Sequence, residues 1–297
     1  MKLAITGANS SVGKALLHLI QGNDEIEAIA GARSAQALAH LPKSPRIHPM
    51  EISYFDSDKL GKQFAGVDSV VHLAGILIEG PGSDYQTANV DATAAVVRAA
   101  QSAGAEHIVF ISVIGADPNS SNPYFKSKGM AEQLVTDSGL ASTVIRTPML
   151  LGPGTAGTSG VVGTASQPRV KLLGGGRYIM RPLDIDNLCQ AILNTCGRSG
   201  SGKSIYELVG PEPIVYHELI RRVAELRGLK IEIGSVPIWL AKLGAGIKSR
   251  IQGGGFTPTV IDVITQDEEV ANNDDAALDV TLTPLQTTLQ RMLEDKT

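Results

Sequence analysis

The chain has 297 residues, 43% of them apolar and 19% charged, and a formal net charge of −4. That balance suits one or two globular domains with sizeable cores. It gives no support to a nucleic-acid partner, and no apolar run is long enough to span a bilayer. Met1 leads directly into an apolar run, which leaves no room for a signal peptide, so a cytoplasmic protein is expected. Cys189 and Cys196 fall on one helical pattern, about 10 Å apart along its axis. That is too far for a disulfide, and both read as reduced core residues. No His or Cys cluster has metal-ligand spacing, and no metal is expected.

The predicted elements alternate strictly at first. Strand 2–6 leads into helix 11–21, then strand 26–30. A strand at 47–52 follows, weakened or placed at an edge by Pro49. Helix 57–64, a short buried strand 69–74, and a long helix 85–103 ended by Gly104 come next. Strand 107–112, helix 123–138 stopped by Gly139, and strand 143–147 complete the series. This order implies an α/β fold, a doubly wound parallel Rossmann sheet with right-handed crossovers. Beyond Gly152-Pro153-Gly154 the rhythm changes. Residues 154–176 read as loop, 183–196 as helix, 204–209 as a strand, and 211–297 as helices without a matching set of strands. We therefore expect a dinucleotide-binding domain from 1–153 and 183–210. The segments 154–182 and 211–297 would form a smaller mixed α/β substrate-binding cap over the carboxyl ends of the sheet.

The first strand runs into Gly7-Ala8-Asn9-Ser10-Ser11-Val12-Gly13 and then a helix. Gly7 allows a tight turn, Gly13 allows the helix to pack closely, and the free amides at the helix start face an anion. The dinucleotide fingerprint has a middle glycine where this chain has Ser10. Its hydroxyl could instead bond a phosphate oxygen. Strand two ends at Ala30-Gly31-Ala32-Arg33 with no carboxylate for a ribose 2′-hydroxyl. Arg33 is placed to meet a 2′-phosphate, so NADP(H) is expected, with NAD the alternative.

Asn122 and Pro123 start a helix on which Tyr124 and Lys128, four apart, share a face. An ammonium there would lower the phenol pKa and fit Tyr124 for proton exchange with a carbonyl or hydroxyl. Ser112 ends the preceding strand, where its hydroxyl could hold the substrate oxygen. The alternative is a surface Tyr and Lys on an amphipathic helix.

These residues together resemble the extended or atypical branch of the short-chain dehydrogenase/reductase superfamily, of NAD-dependent epimerase/dehydratase type. Thr6-Gly7-Ala8 through Gly13 looks like its cofactor turn, His72-Leu73-Ala74-Gly75 its fourth-strand motif and Asn89-Val90-Asp91 its helix-four asparagine motif. Ser112, Tyr124 and Lys128 match its catalytic residues. Arg146-Thr147-Pro148 with Gly152-Pro153-Gly154 resembles the signature after strand six, and 182–187 and 205–211 match later segments. The run 111–116 is most similar to NmrA-like regulators and to a complex I accessory subunit. Many members of that branch lack the active-site Tyr, which this chain keeps. The resemblance implies cofactor contacts from Glu51, near adenine, and from Ile52, Leu73, Ala74, Gly75, Asn89, Lys128 and Pro148.

Segment 236–250, centred on Trp239, is apolar with interspersed cations. It reads as a lid over an apolar substrate, a membrane-surface helix, or cap packing. Arg169, Lys171, Arg177 and Arg181 form a basic stretch that resembles the diphosphate contacts of sugar-nucleotide enzymes, or is a solvated loop. The expected function is hydride transfer between NADP(H) and a carbonyl, hydroxyl or quinone-like small molecule. The alternatives are a sugar-nucleotide epimerase or dehydratase, and a non-catalytic dinucleotide-binding regulator or assembly factor. A monomer or homodimer is expected, a dimer drawing on helices 85–103 and 123–138 by analogy with the superfamily.

Overall fold

A computed structural model describes residues 1–197, 203–252 and 255–294. Its first half comprises β1 (Lys2–Thr6), α1 (Ser11–Gln21), β2 (Glu27–Ala32), α2 (Ala35–Leu38), β3 (Ile47–Glu51), α3 (Ser57–Gln63) and β4 (Ser69–His72). A π-helical turn (Gln86–Asp91) runs into α4 (Ala92–Ala103), followed by β5 (His107–Val113), α5 (Pro123–Thr136) and β6 (Ala141–Thr147). The second half starts with β7 (Leu150–Leu151), α6 (Ala156–Ala165), β8 (Arg169–Leu173), β9 (Ile179–Met180), β10 (Leu183–Asp184), α7 (Ile185–Thr195) and β11 (Lys203–Glu207). It continues with β12 (Ile214–Val215), α8 (Tyr216–Leu226), β13 (Glu232–Val236), α9 (Ile238–Gln252), α10 (Pro258–Ile264) and α11 (Leu285–Glu294).

Seven strands form one parallel sheet in the order β11-β6-β5-β4-β1-β2-β3. Its inner strands are buried on both faces, as a sheet covered on both sides requires, while the edge strand β3 exposes His48 and Pro49. Leu3 and Ile5 of β1 pack with Leu16, Leu17 and Ile20 of α1 and with Leu188 and Ile192 of α7. On the other face Ala4, Val70, Ile108 and Phe110 pack with Leu60, Phe64 and Val96. The strand order reverses between β1 and β4, which opens a crevice at their carboxyl ends.

The second half departs from expectation in two places. Residues 154–176 are not loop: they hold α6, whose N-cap Thr155 accepts from the Thr158 amide at 3.1 Å, and β8. Nor do residues 211–297 lack strands. β13 pairs with β8 in parallel register, and β12 pairs antiparallel with β9. Each of these strands is completed by a partner remote in sequence, so composition along one segment conceals it. β8 does alternate, with Val170 and Leu172 buried between exposed Arg169 and Lys171. A third core joins Val162, Leu172, Leu219, Val223 and Leu289. Smaller corrections occur at element ends. The strand expected at 69–74 stops at His72, the helix expected at 85–103 opens with the π turn, and Leu183 and Asp184 pair with β7 ahead of α7.

On α9 the side chains of Trp239, Leu240, Leu243 and Ile247 are exposed rather than packed into the cap. The side chains of Lys248 and Arg250 lie outside the described residues. Both cysteines are free and buried. No described helix is long and apolar enough to cross a membrane.

One buried ion pair joins α5 to the sheet. Arg146 donates to both carboxylate oxygens of buried Glu132, at 3.0 and 2.7 Å, and to the Ala116 carbonyl at 3.1 Å. Removing one partner strands the other charge. Arg146→Met is therefore expected to lower stability by about 3–5 kcal/mol, with most of it recovered in Glu132→Leu/Arg146→Met. Urea unfolding of both variants checks this, and an equal loss in the double variant contradicts it.

Candidate functional site

Two cavities lie at the carboxyl ends of the sheet. The first, of about 600 Å³, is lined by Gly7, Asn9, Ser10, Arg33, Glu51, Ile52, Leu73, Ala74 and Gly75 among others. It thus gathers nine of the residues expected to bind cofactor. Gly7 sits at φ +71°, and a Cβ there would lie 2.9 Å from the Ala74 amide nitrogen, so the turn after β1 closes against the loop after β4. A Cβ on Gly13 would lie 2.6 Å from the carbonyls of Gly7 and Ala8, which is why α1 can start this close to the strand. The Ser10 hydroxyl accepts from the Gly13 amide at 3.0 Å and caps α1. The first-turn amides of Ser11 and Val12 precede the first helical hydrogen bond, from Lys14 to the Ser10 carbonyl.

Other expected cofactor residues fall elsewhere. Ser11 and Pro148 line the second cavity. Val12 and Gly13 line neither, because α1 turns them inward; the Val12 carbonyl accepts from the buried Cys189 thiol. Asn89 is buried outside the lining, where the π turn directs its side chain at the loop after β4. Its Oδ1 accepts from the Ile76 amide at 2.8 Å, and its Nδ2 donates to the Ile76 carbonyl and to Ser127 Oγ at 3.2 and 2.9 Å.

The second cavity, of about 460 Å³, is lined by Tyr124 and by apolar and aromatic groups from both halves of the chain. Consecutive residues serve the two cavities: Ser10 and Ile76 line the first, Ser11 and Leu77 the second. The loops after β1 and β4 thus contribute to both cavities.

Asn122 caps α5, accepting from the Tyr124 amide at 3.0 Å. The Tyr124 ring packs against Tyr85 and Phe125, each with centroids 5.7 Å away. Burial, with Tyr85 beside it, pushes the phenol well above its ordinary pKa, so it stays protonated; this is the reverse of the lowering expected from Lys128. Lys128 is buried one turn on. Its Nζ donates to the Ile111 carbonyl at 2.8 Å and lies 4.2 Å from the centroid of Phe110. Burial brings the ammonium down to about 8, opposed by Glu132. The same Nζ is 3.9 Å from where a Gly75 Cβ would stand, beneath the first cavity.

The structure does not bring Ser112 to a cavity wall. Successive strand side chains face opposite ways, and Val113 lines the second cavity while Ser112 is buried with its hydroxyl unpartnered among the described residues. The basic stretch also misses both cavity linings. Arg169 pairs with Glu232 at 2.8 Å, and Arg181 donates to the Gly210 carbonyl at 2.7 Å.

Sequence reasoning missed Tyr54 and Phe55 on the first cavity, and Tyr178, Tyr216 and Glu268 on the second. The aromatic pair directly after strand three was a usable signal. The others come from segments that only tertiary structure brings near Tyr124.

Beneath the crevice lies buried His72. Its Nδ1 meets Thr6 Oγ1 at 2.6 Å and its Nε2 meets Thr93 Oγ1 at 3.0 Å, while Thr93 donates to the Asn89 carbonyl at 2.6 Å. Thr93 thus has its proton committed, and Nε2–H donates to it. Burial, aided by the Lys128 charge, lowers this imidazole from 6.5 to about 3. The native state therefore binds one proton fewer than the unfolded chain across that window, and stability falls as pH drops from 6.5 toward 3. His72→Gln is expected to make that slope shallower by about 1.4 kcal/mol per pH unit, one proton's worth. Parallel slopes in pH-dependent denaturation of the two proteins reject this.

Comparison with known proteins agrees with this geometry. Residues 7–172 match a family described as NAD(P)H-binding. The chain is 25% identical, over 82% of its length and 79% of the relative's, to a 4-hydroxy-2-methyl-3-oxo-4-farnesyl-3,4-dihydroquinoline-1-oxide ketoreductase from Stigmatella aurantiaca. Among solved structures it is similar to MoeE5 in complex with UDP-glucose and NAD, with a TM-score of 0.77 and 19% identity over 99% of this chain and 98% of that one. It is also similar to the triphenylmethane reductase of Citrobacter sp. complexed with NADP(H), with a TM-score of 0.74 and 22% identity over 98% of this chain and 99% of that one. With more than half its length matched, this chain, with its Gly7 turn and β1/β4 crevice, belongs to the NAD(P)H-binding family.

Proposed function

We propose that the protein is an NADP(H)-dependent oxidoreductase acting on the carbonyl, or the corresponding alcohol, of an apolar small molecule. The observation that carries this reading is the adjacency of the two cavities, one fitted to a dinucleotide and the other holding Tyr124. The nicotinamide, when bound, supplies or accepts the hydride. Everything else falls to this chain's side chains. Tyr124, neutral and desolvated, donates its phenolic proton to the substrate oxygen in the reducing direction. Lys128, on the same helix face, stabilises the phenolate left behind and reaches the cofactor side beneath Gly75. Ser112 is buried behind the wall and is given no contact with substrate.

The residues of the first cavity fit NADP(H). The Gly7 turn and Ser10, which caps the start of α1 on the cavity wall, suit a pyrophosphate. Arg33, on the cavity wall and outside every ion pair among the described residues, suits a 2′-phosphate, and β2 ends with no carboxylate to repel one. The ketoreductase relative and the NADP(H)-bound triphenylmethane reductase support reductase chemistry.

Tyr124→Phe is expected to lower kcat by about 10²–10⁴ while the Kd for NADPH stays within about twofold. Unchanged turnover excludes the mechanism. Arg33→Ala is expected to weaken NADPH by about tenfold or more and to leave NADH unaffected. Titrations followed by nicotinamide fluorescence decide it, and equal losses for both cofactors would remove the assignment.

A further inference from the structure

The charge of the second cavity is one-sided. No Lys, Arg or His is among its lining residues, whereas Asp267 and Glu268 are. Both carboxylates are held in place. Glu268 accepts from the Met149 amide at 2.7 Å and the Arg181 amide at 2.9 Å, one on each oxygen, and Asp267 accepts from the Ile179 amide at 2.6 Å. Among the described residues neither carboxylate is in an ion pair: the Arg181 guanidinium donates to the Gly210 carbonyl and Lys128 to the Ile111 carbonyl. Burial pushes the Glu268 carboxyl up to about 7, opposed by its two backbone donors. Tyr178 and Tyr216 stack on the same wall, with centroids 5.1 Å apart and planes at 19°. Aromatic groups and carboxylates outside any ion pair, on an otherwise largely apolar wall, attract an organic cation and repel an anion.

We propose that this cavity selects apolar substrates bearing a cationic group over anionic ones, with Glu268 as the specificity-determining residue. On this reading phosphorylated substrates, nucleoside diphosphate sugars included, are poorly accepted. The identity of the cavity as the substrate site rests on the oxidoreductase reading; the charge selection itself does not, and binding tests it without turnover.

Three aryl aldehydes of matched shape serve as probes: 4-formyl-N,N,N-trimethylanilinium, 4-tert-butylbenzaldehyde and 4-formylbenzoate. Calorimetric titration into the full chain at pH 8.5, with and without NADP⁺, is expected to rank them cation, neutral, anion. The cation should lead the neutral isostere by about tenfold. In Glu268→Gln the cation-to-neutral ratio should collapse to within about twofold. The wild-type ranking stands as a test even where that variant fails to fold. Equal affinities for the cation and its isostere, a tighter anion, or no binding by any probe each overturn the proposal. NADPH oxidation with the neutral probe separates the two claims. The expected ranking without turnover sinks the oxidoreductase reading and keeps the selection. Turnover without the ranking does the reverse.

Discussion

The side chain of Asn89 makes three hydrogen bonds, two to the backbone of Ile76 and one to Ser127. Through them the floor of the first cavity and the helix that carries Tyr124 and Lys128 are fixed to one another. Ser127 passes the constraint on, donating to the Tyr124 carbonyl at 2.7 Å. Asn89 and Ser127 are buried, and a buried donor or acceptor left unmatched costs about 1–3 kcal/mol. The π turn is what makes the arrangement possible. An extra residue per turn rotates Asn89 inward at the point where α4 begins, a use of π geometry that recurs at functional sites.

Much of this was legible in the chain. The strand-turn-helix at Lys2–Gln21, the cap and first turn of α5, and the alternation through β6 follow from periodicity, capping residues and glycine placement, and the structure bears them out. Much of the lining of the first cavity was readable because it is local: strand ends and their following loops carry it. Three things were hidden. Ser112 and Val113 differ by one position, and the strand pattern alone does not say which of the two meets the second cavity; Val113 lines it and Ser112 is buried. β8 and β13 complete each other from 63 residues away, by the pairing of Glu232 with Arg169 and of Val236 with Leu173. Glu268 belongs to no regular element and takes its place from backbone contacts with Met149, Ile179 and Arg181.

The two cavities are built on different physical logic. The first is lined by the glycine turn after β1 and by Arg33, Glu51 and Asp91 among apolar residues. The second is lined mainly by aliphatic and aromatic groups, Tyr124 among them. Lys128 lies between them, its charge tolerated in the interior through a carbonyl and a ring face. His72, held neutral nearby, adds no second positive charge to that region.

The lining of the first cavity ends at Ala92, whereas that of the second extends to Glu268. During synthesis the first cavity is therefore complete in covalent terms long before the second. At about 5–20 residues per second, roughly ten to thirty seconds separate the two. A nascent chain emerging from the ribosome passes through a stage that has every residue of the first cavity and lacks the carboxylates of the second. The lining of the first cavity is thus made before that of the second.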